Sequence, residues 1–405
     1  MPRWCMCLKV MVVGGGAAGQ VVGSHLVRCD DINILRIADL DYGKVKRYSD
    51  WLHNDKVTVH RLDASNVSAV AKLARGMDVV VNALEPMFNL PLMRAALRAG
   101  TNYQDLAFGP PYEILASQLK QDLTWKKAER IALIATGNSP GITNILASTG
   151  ADELDSVEGV EIRLFSKLNS SELISTWSPA TMIQDMQEEP TVYENGQFKR
   201  VPPFSGQEVY TFPEPVGSQT ISYHAHEEPH TLPRFLGKGI RYVGFKYGVN
   251  QFMHDLLRAG LLSKRPINVK GIKVAPVDVV IACYPKPSGM EVLSAQIKSG
   301  IVKGSVGCDA IEVWGKKSGG DTRRRYFVRW PDIIDIHRSM PHATHTSYMA
   351  GTGAVILTEA LARGRIQLKG VVAPENLEKA VREDFLVELT QRNIAIEGAS
   401  DTEKD

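Results

Sequence analysis

The stretch Leu8-Lys9-Val10-Met11-Val12-Val13-Gly14-Gly15-Gly16-Ala17-Ala18-Gly19 decides how the chain folds. Its first six residues are mostly apolar and largely branched, the composition of a buried strand. They run straight into a G-x-G-x-x-G, and residues 17–28 beyond it have helical spacing. A glycine triplet alone is a weak signal, because plain turns carry it too. Between a strand and a helix it acquires a mechanical meaning. Gly14 permits the tight turn, Gly16 lets the backbone approach a pyrophosphate, and Gly19 lets the helix pack against the strand. Ala17 and Ala18 open the helix N-terminus, which faces the phosphates and favours their negative charge. A dinucleotide site is the expectation.

Outward from that turn, the N-terminal part of the chain keeps one rhythm. Short apolar runs fall at 8–13, 32–38, 57–61, 79–83, 103–105 and 131–135. Helical spacing separates them at 17–28, 42–52, 67–74, 91–99 and 111–127. Near-continuous hydrophobic strands alternating with helices predict a parallel sheet covered on both faces, a doubly wound α/β Rossmann domain. From about Val157 the pattern changes. Strand-like runs at 157–165, 208–212, 240–245, 277–284, 310–314 and 326–330 come with many turn residues and few helices. Lys316-Lys317-Ser318-Gly319-Gly320 reads as a hairpin turn, with Arg323-Arg324-Arg325 on its solvated arm. A second, α+β domain with a mixed or antiparallel sheet is expected. A helical pattern rich in small residues returns at 349–364, and the tail 397–405 looks frayed.

Composition narrows the function classes. The 405 residues carry 47 Lys+Arg against 45 Asp+Glu, a net charge of +2. That leaves no electrostatic footprint for a nucleic-acid or anionic-membrane partner. Hydrophobic residues at 44% and charged residues at 23% allow a sizeable core and exclude a disordered chain. Cys5, Cys7, Cys29, Cys283 and Cys308 are odd in number and scattered, so no disulfide framework is expected. Cys5 and Cys7 lack a second pair at zinc spacing and read as alternate positions of the first strand. No apolar run reaches the roughly 18 residues of a membrane span. The apolar N-terminus would pass for a signal peptide, but Gly14-Gly15-Gly16 cuts it short. A cytoplasmic protein is expected.

Four polar residues stand near the carboxyl ends of the expected strands, where ligands bind in such sheets. Asp39 closes the second strand roughly 20 residues past Gly19, the position of a carboxylate that bonds the ribose hydroxyls and repels a 2′-phosphate. It favours NAD over NADP, tempered by Lys44 and Arg47 nearby. Asp63 either meets the adenine or caps the next helix together with Ser65 and Asn66. Asn82 ends a very apolar strand and reads as a ligand contact. Asp105 reads either as an N-cap or as a contact to substrate or nicotinamide.

Gly137-Asn138-Ser139-Pro140-Gly141-Ile142-Thr143-Asn144-Ile145-Leu146-Ala147 follows the sixth strand. Further along come Ile174-Ser175-Thr176-Trp177-Ser178 and Val192-Tyr193-Glu194-Asn195-Gly196. His226-Glu227-Glu228-Pro229-His230-Thr231-Leu232-Pro233 is similar to an H-x-E-x-x-T-L-P signature, and Gly370-Val371-Val372-Ala373-Pro374-Glu375 completes the series. In this order, after the glycine turn, the motifs resemble the saccharopine dehydrogenase superfamily over nearly the whole chain. The resemblance implies a split dinucleotide-binding domain, residues 1–140 and 347–405. It implies a substrate-binding and dimerising domain at 141–346, hence a homodimer. It further implies a nicotinamide-dependent enzyme that makes or breaks C–N bonds of amino acids or polyamines through an imine, with no required metal. Trp177, Ser178 and Thr231 lie in its motifs and are taken as substrate contacts.

An imine step needs a group that exchanges protons near neutrality, and the imidazole of His226 is the natural candidate. Glu228, two residues on, would share its face in a strand and either hold a substrate ammonium or fix the ring. Taken on residue types alone, the histidines read as a polar loop; the resemblance puts the proton-transfer role level with that reading. Fungal-type saccharopine reductases, by the resemblance, carry an arginine just after the Ser-Trp-Ser element, but here Trp177-Ser178 leads to Pro179-Ala180. Its absence weakens a substrate with several carboxylates. Arg163, Arg234 and Arg241 remain as partners for an α-carboxylate. Lysine 6-dehydrogenase-like oxidative deamination with NAD is the leading expectation. Reductive condensation to saccharopine or carboxynorspermidine, or a non-catalytic NAD-binding regulator, are the alternatives.

Overall fold

The computed structural model describes residues 7–402. They form two compact units, one of residues 7–153, 234–236 and 347–396, the other of 154–233, 237–346 and 397–402.

In the first unit, Val10, Met11, Val12 and Val13 are wholly buried, as a central parallel strand requires. Seven parallel strands follow the spatial order Gly370–Val372, Ile131–Leu133, Asn102–Asp105, Val79–Asn82, Leu8–Val13, Ile32–Asp39 and Val57–Arg61. The order reverses beside Leu8–Val13, so the glycine turn opens at the switch point of the sheet. The last strand in sequence, Gly370–Val372, pairs with Ile131–Leu133 and completes the sheet from the far end of the chain. The stretch 111–127 forms two helices, Glu113–Leu119 and Asp122–Lys127, rather than one. The expected returning helix runs His345–Ala362. Its small residues allow close approach: a Cβ on Gly351 would stand 2.6 Å from Val21 Cγ1, and one on Gly353 would overlap Gly137 O. Gln104 Nε2 donates to Ala354 O at 2.8 Å and ties this helix to the sheet.

The second unit is built on a nine-stranded mixed sheet. Ser156–Ser170 and Val302–Lys317 pair antiparallel along nearly their whole lengths, while Tyr242–Gly248 joins Ser156–Ser170 in parallel. Val302–Lys317 turns at Ser318-Gly319 into Gly320–Arg329, the expected hairpin. Its arginines are not a freely solvated arm, because Arg323 and Arg325 approach Glu312 and Arg324 is buried.

Several expectations fail here. The run 277–284 is the helix Pro276–Cys283, with Pro276 in its first turn, because a short apolar run without alternation suits either state. Helices also form at Pro179–Gln187, Glu228–Phe235, Gln251–Arg258, Met290–Lys298 and Ile333–Ser339, so the unit is richer in helix than its turns suggest. The tail is not frayed through residue 402: Ala395–Thr402 is an edge strand beside Gly320–Arg329, and Arg329 Nε meets Glu397 Oε1 at 2.6 Å. It therefore belongs to the second unit from Glu397 onward. Conversely, helix Ile142–Asp152 belongs to the first, where Asn144 and Ser148 bond Glu375. Cys7 precedes the first strand instead of alternating within it, and Cys5 lies outside the described residues.

Candidate functional site

At the turn, Gly14 has φ of 108°, and a Cβ there would lie 2.6 Å from Ala83 O. A Cβ on Gly19 would overlap Gly14 O, so any larger residue would push the helix off the strand. Gly16 differs: a Cβ there would meet nothing within 4 Å. That open side lies at Gly16, the N-cap of helix Ala17–Arg28, which makes no side-chain cap bond to the first turn. First-turn amides with a positive partial charge and no side-chain cap suit a pyrophosphate. The residues present fit a dinucleotide, which Gly14, Gly16, Ala17, Ala18 and Gly19 would hold.

Asp39 ends its strand beside this turn. Its Oδ2 accepts from Gly15 N at 2.8 Å, its Oδ1 accepts from Asp41 N at 2.9 Å, and Lys44 Nζ stands 3.1 Å away. Burial by itself would raise its pKa, but the two backbone donors and Lys44 outweigh burial and hold the carboxyl below its usual value. A fixed carboxylate thus stands where the ribose position is expected, partly neutralised by an ammonium.

The other three candidates are engaged in hydrogen bonds within the first unit. Asp63 is exposed, and its Oδ1 accepts from Ser65 N and Oγ; the following helix is capped by Asn66 instead. Asn82 is buried, donating to Asn89 Oδ1 and Tyr103 Oη while accepting from Leu84 N, so its amide is engaged in holding the strand end. Asp105 is 0% exposed and caps no helix. It accepts from Tyr103 Oη at 3.0 Å, Gln118 Nε2 at 2.7 Å and Ala135 N at 2.8 Å. A carboxylate so enclosed braces the sheet edge and presents no face to a substrate.

In the second unit, strand Ser218–Tyr223 ends and a short loop carries His224 and His226 to the helix Glu228–Phe235. His226 and Glu228 do meet, but not across a strand. Glu228 is the first residue of the helix, where a carboxylate is favoured by the helix dipole, and its Oε2 lies 2.5 Å from His226 Nδ1. Glu227 Oε2 is 3.3 Å from the same nitrogen, and Phe245 stacks on the ring at 3.9 Å. Burial would lower the pKa of His226, but Glu228, Glu227 and Asp185 prevail and raise it to about 9. The surrounding carboxylates therefore favour the imidazolium form of His226. His224 is the opposite: burial, then the neighbouring His226 charge, bring it down to about 3. Ligand atoms of His226, Glu227 and Glu228 lie within 4.8 Å of one another, a spacing a cation could use. The charge-assisted Nδ1–Oε2 hydrogen bond already accounts for that geometry.

His224 and His226 line a cavity of about 610 Å³ together with Trp177, Asp185, Tyr247 and His345. Of the expected substrate contacts only Trp177 is on its wall. Ser178 caps helix Pro179–Gln187, accepting from Thr181 N, and Thr231 is 0% exposed on the inner side of its helix. Arginine does not line the cavity: Arg163 pairs with Glu208 and Glu312, Arg241 donates to Asn195, and Arg234 belongs to the first unit. The reading of residue types overlooks Asp185 and His345. Neither belongs to a local motif, and only the fold carries them to the wall that holds His226.

The glycine turn at the switch point of a parallel sheet defines a dinucleotide-binding α/β unit joined to a second, mixed-sheet unit. Residues 10–133 match the saccharopine dehydrogenase NADP binding domain, and residues 137–394 match the saccharopine dehydrogenase C-terminal domain. The chain belongs to the saccharopine dehydrogenase family, as an NAD(P)-binding oxidoreductase. Among its relatives is a carboxynorspermidine synthase of Vibrio alginolyticus, 23% identical, with 92% of each chain covered. Another is a carboxyaminopropylagmatine dehydrogenase of Synechocystis, 24% identical over 95% of this chain and 96% of its own. The fold is shared with the saccharopine dehydrogenase (L-Glu forming) of Saccharomyces cerevisiae, at a TM-score of 0.71 and 14% identity over 97% of this chain and 100% of that one. Among the described residues no helix is long and apolar enough to cross a membrane.

Proposed function

We propose that this protein condenses a carbonyl compound with an amine and reduces the resulting imine to a secondary amine. The observation that carries this reading is His226, held by Glu228 at 2.5 Å on the wall of the cavity. Amine addition gives a carbinolamine, whose hydroxyl leaves as water only after gaining a proton. An imidazolium with a pKa of about 9 has that proton to give at neutral pH. The nicotinamide, when bound, supplies the hydride that reduces the imine carbon. In sum, carbonyl, amine, NAD(P)H and a proton yield secondary amine, water and NAD(P)⁺, and solvent reprotonates His226.

Oxidative deamination of lysine, the leading expectation from the residues, would draw on His226 as the base that activates water, a role its raised pKa suits less well. The relatives named a carboxynorspermidine synthase and a carboxyaminopropylagmatine dehydrogenase support the condensing reading. Asp39 supports NAD ahead of NADP, with Lys44 limiting the margin.

The test supplies NADH or NADPH with amino-acid semialdehydes or 2-oxo acids, each with and without diaminopropane, diaminobutane, agmatine or lysine. Cofactor oxidation should require both carbonyl and amine, and mass spectrometry should find the coupled product. Reduction of NAD(P)⁺ by lysine alone would overturn the reading in favour of deamination. Cofactor binding without turnover on any pair would overturn it in favour of a regulator.

A further inference from the structure

Asp185 is the residue of the second unit that the preceding chemistry leaves without a task. It lies on helix Pro179–Gln187, is only 9% exposed and lines the same cavity as His226. Among the described residues no hydrogen-bond partner reaches its Oδ1. Asp105, by contrast, accepts from three donors. A buried carboxyl that lacks such partners is costly to keep charged, and the group must hold a proton or find a cation.

The surroundings favour a cation. Asp185 feels the charges of Glu227, His226 and Glu188, and burial with those acidic neighbours pushes its carboxyl well above the usual range. Glu227 and Glu228 flank His226, Asp185 adds a third carboxyl, and Lys167 on the cavity wall is exposed. His224 and His345 also line the cavity, but burial keeps both neutral, at about 3 and about 4. The walls between are apolar: Met182, Met186 and Phe252 suit methylene groups.

We infer that Asp185 is the specificity-determining residue of this cavity, pairing with the far ammonium of an aliphatic diamine whose other nitrogen is the one that reacts. Only the reaction at the diamine's other nitrogen rests on the condensing reading. An entering ammonium pairs with the carboxylate, and the proton held in the empty cavity departs to solvent. A monoamine of the same length fills the apolar walls but leaves Asp185 unpaired.

Calorimetric titration of the cofactor-loaded protein with diaminopropane and with propylamine tests this without any turnover. The wild type should bind the diamine about 10- to 100-fold more tightly, the range of one charge-assisted hydrogen bond. In Asp185→Asn that advantage should shrink to about twofold or less, with cofactor affinity and melting temperature held. If the amide variant does not fold, Asp185→Ser carries the same comparison. Equal diamine binding in wild type and variant, or no preference for the diamine in the wild type, overturns the assignment. A diamine that binds through Asp185 yet is never coupled to a carbonyl would sink the proposed reaction and leave this inference standing.

Discussion

At the glycine turn of the first unit, side chains are excluded at Gly14 and Gly19. At the histidine loop of the second, His226, Glu227, Glu228 and Asp185 share one electrostatic neighbourhood. One site is shaped by what is missing from a single backbone segment. The other is made of charges from separate segments that would repel or desolvate one another without their partners. The first should therefore fail geometrically and all at once, the second by degrees and with pH.

The largest effect should come from removing the return of the chain. Truncation after Thr346 deletes strand Gly370–Val372 and the helix whose Ala354 carbonyl receives Gln104. Calorimetry should show loss of the folding transition, and NAD(P) binding should vanish with it. An unchanged melting curve would mean the first unit does not need its seventh strand.

A paired substitution sharpens the geometric side. Gly19→Ala forces a methyl onto Gly14 O and should lose about 1–3 kcal/mol of stability together with cofactor binding. Gly16→Ala places its methyl in open space, so melting should hold while cofactor affinity falls. Equal losses of stability would show that Gly16 is packed after all.

A smaller change is expected at Asp39. Asp39→Ala removes the carboxylate and frees Lys44, so the ratio of kcat/KM for NAD over NADP should drop several-fold. A ratio that stays put would move nucleotide choice elsewhere. Least of all should be the pH effect on stability. His226 has a raised folded pKa, so the stabilisation is complete below its unfolded value of about 6.5 and is lost as pH rises through about 9. Melting curves of Glu228→Gln should lack part of that alkaline decline.

The same contrast explains what the chain discloses before it is folded. The glycine turn and the strands around it are legible because each is local, a few adjacent residues with one period. Gly370–Val372 is too short to show a period, and 277–284 has none to show, so the first gives no strand signal and the second passes for strand. Polar residues at strand ends mislead for another reason. Asn82 and Asp105 occupy ligand-like positions, but whether such a group faces a ligand or an inward donor depends on residues such as Gln118, distant in sequence. His226 and Glu228 are legible as a pair, though through a helix start and not a strand face. Asp185 and His345 are silent in sequence because only the folded second unit brings them to the cavity.

The pH dependence of kcat in the condensing direction, at saturating substrates, bears most directly on His226 as the proton donor. In the wild type kcat should fall as pH rises through about 9. Glu228→Gln should move that limb to lower pH, since the carboxylate that holds the imidazolium is gone. His226→Gln should abolish the limb and lower kcat roughly 10²–10⁴-fold, with cofactor affinity unchanged. The same alkaline limb and full activity in His226→Gln would contradict the account.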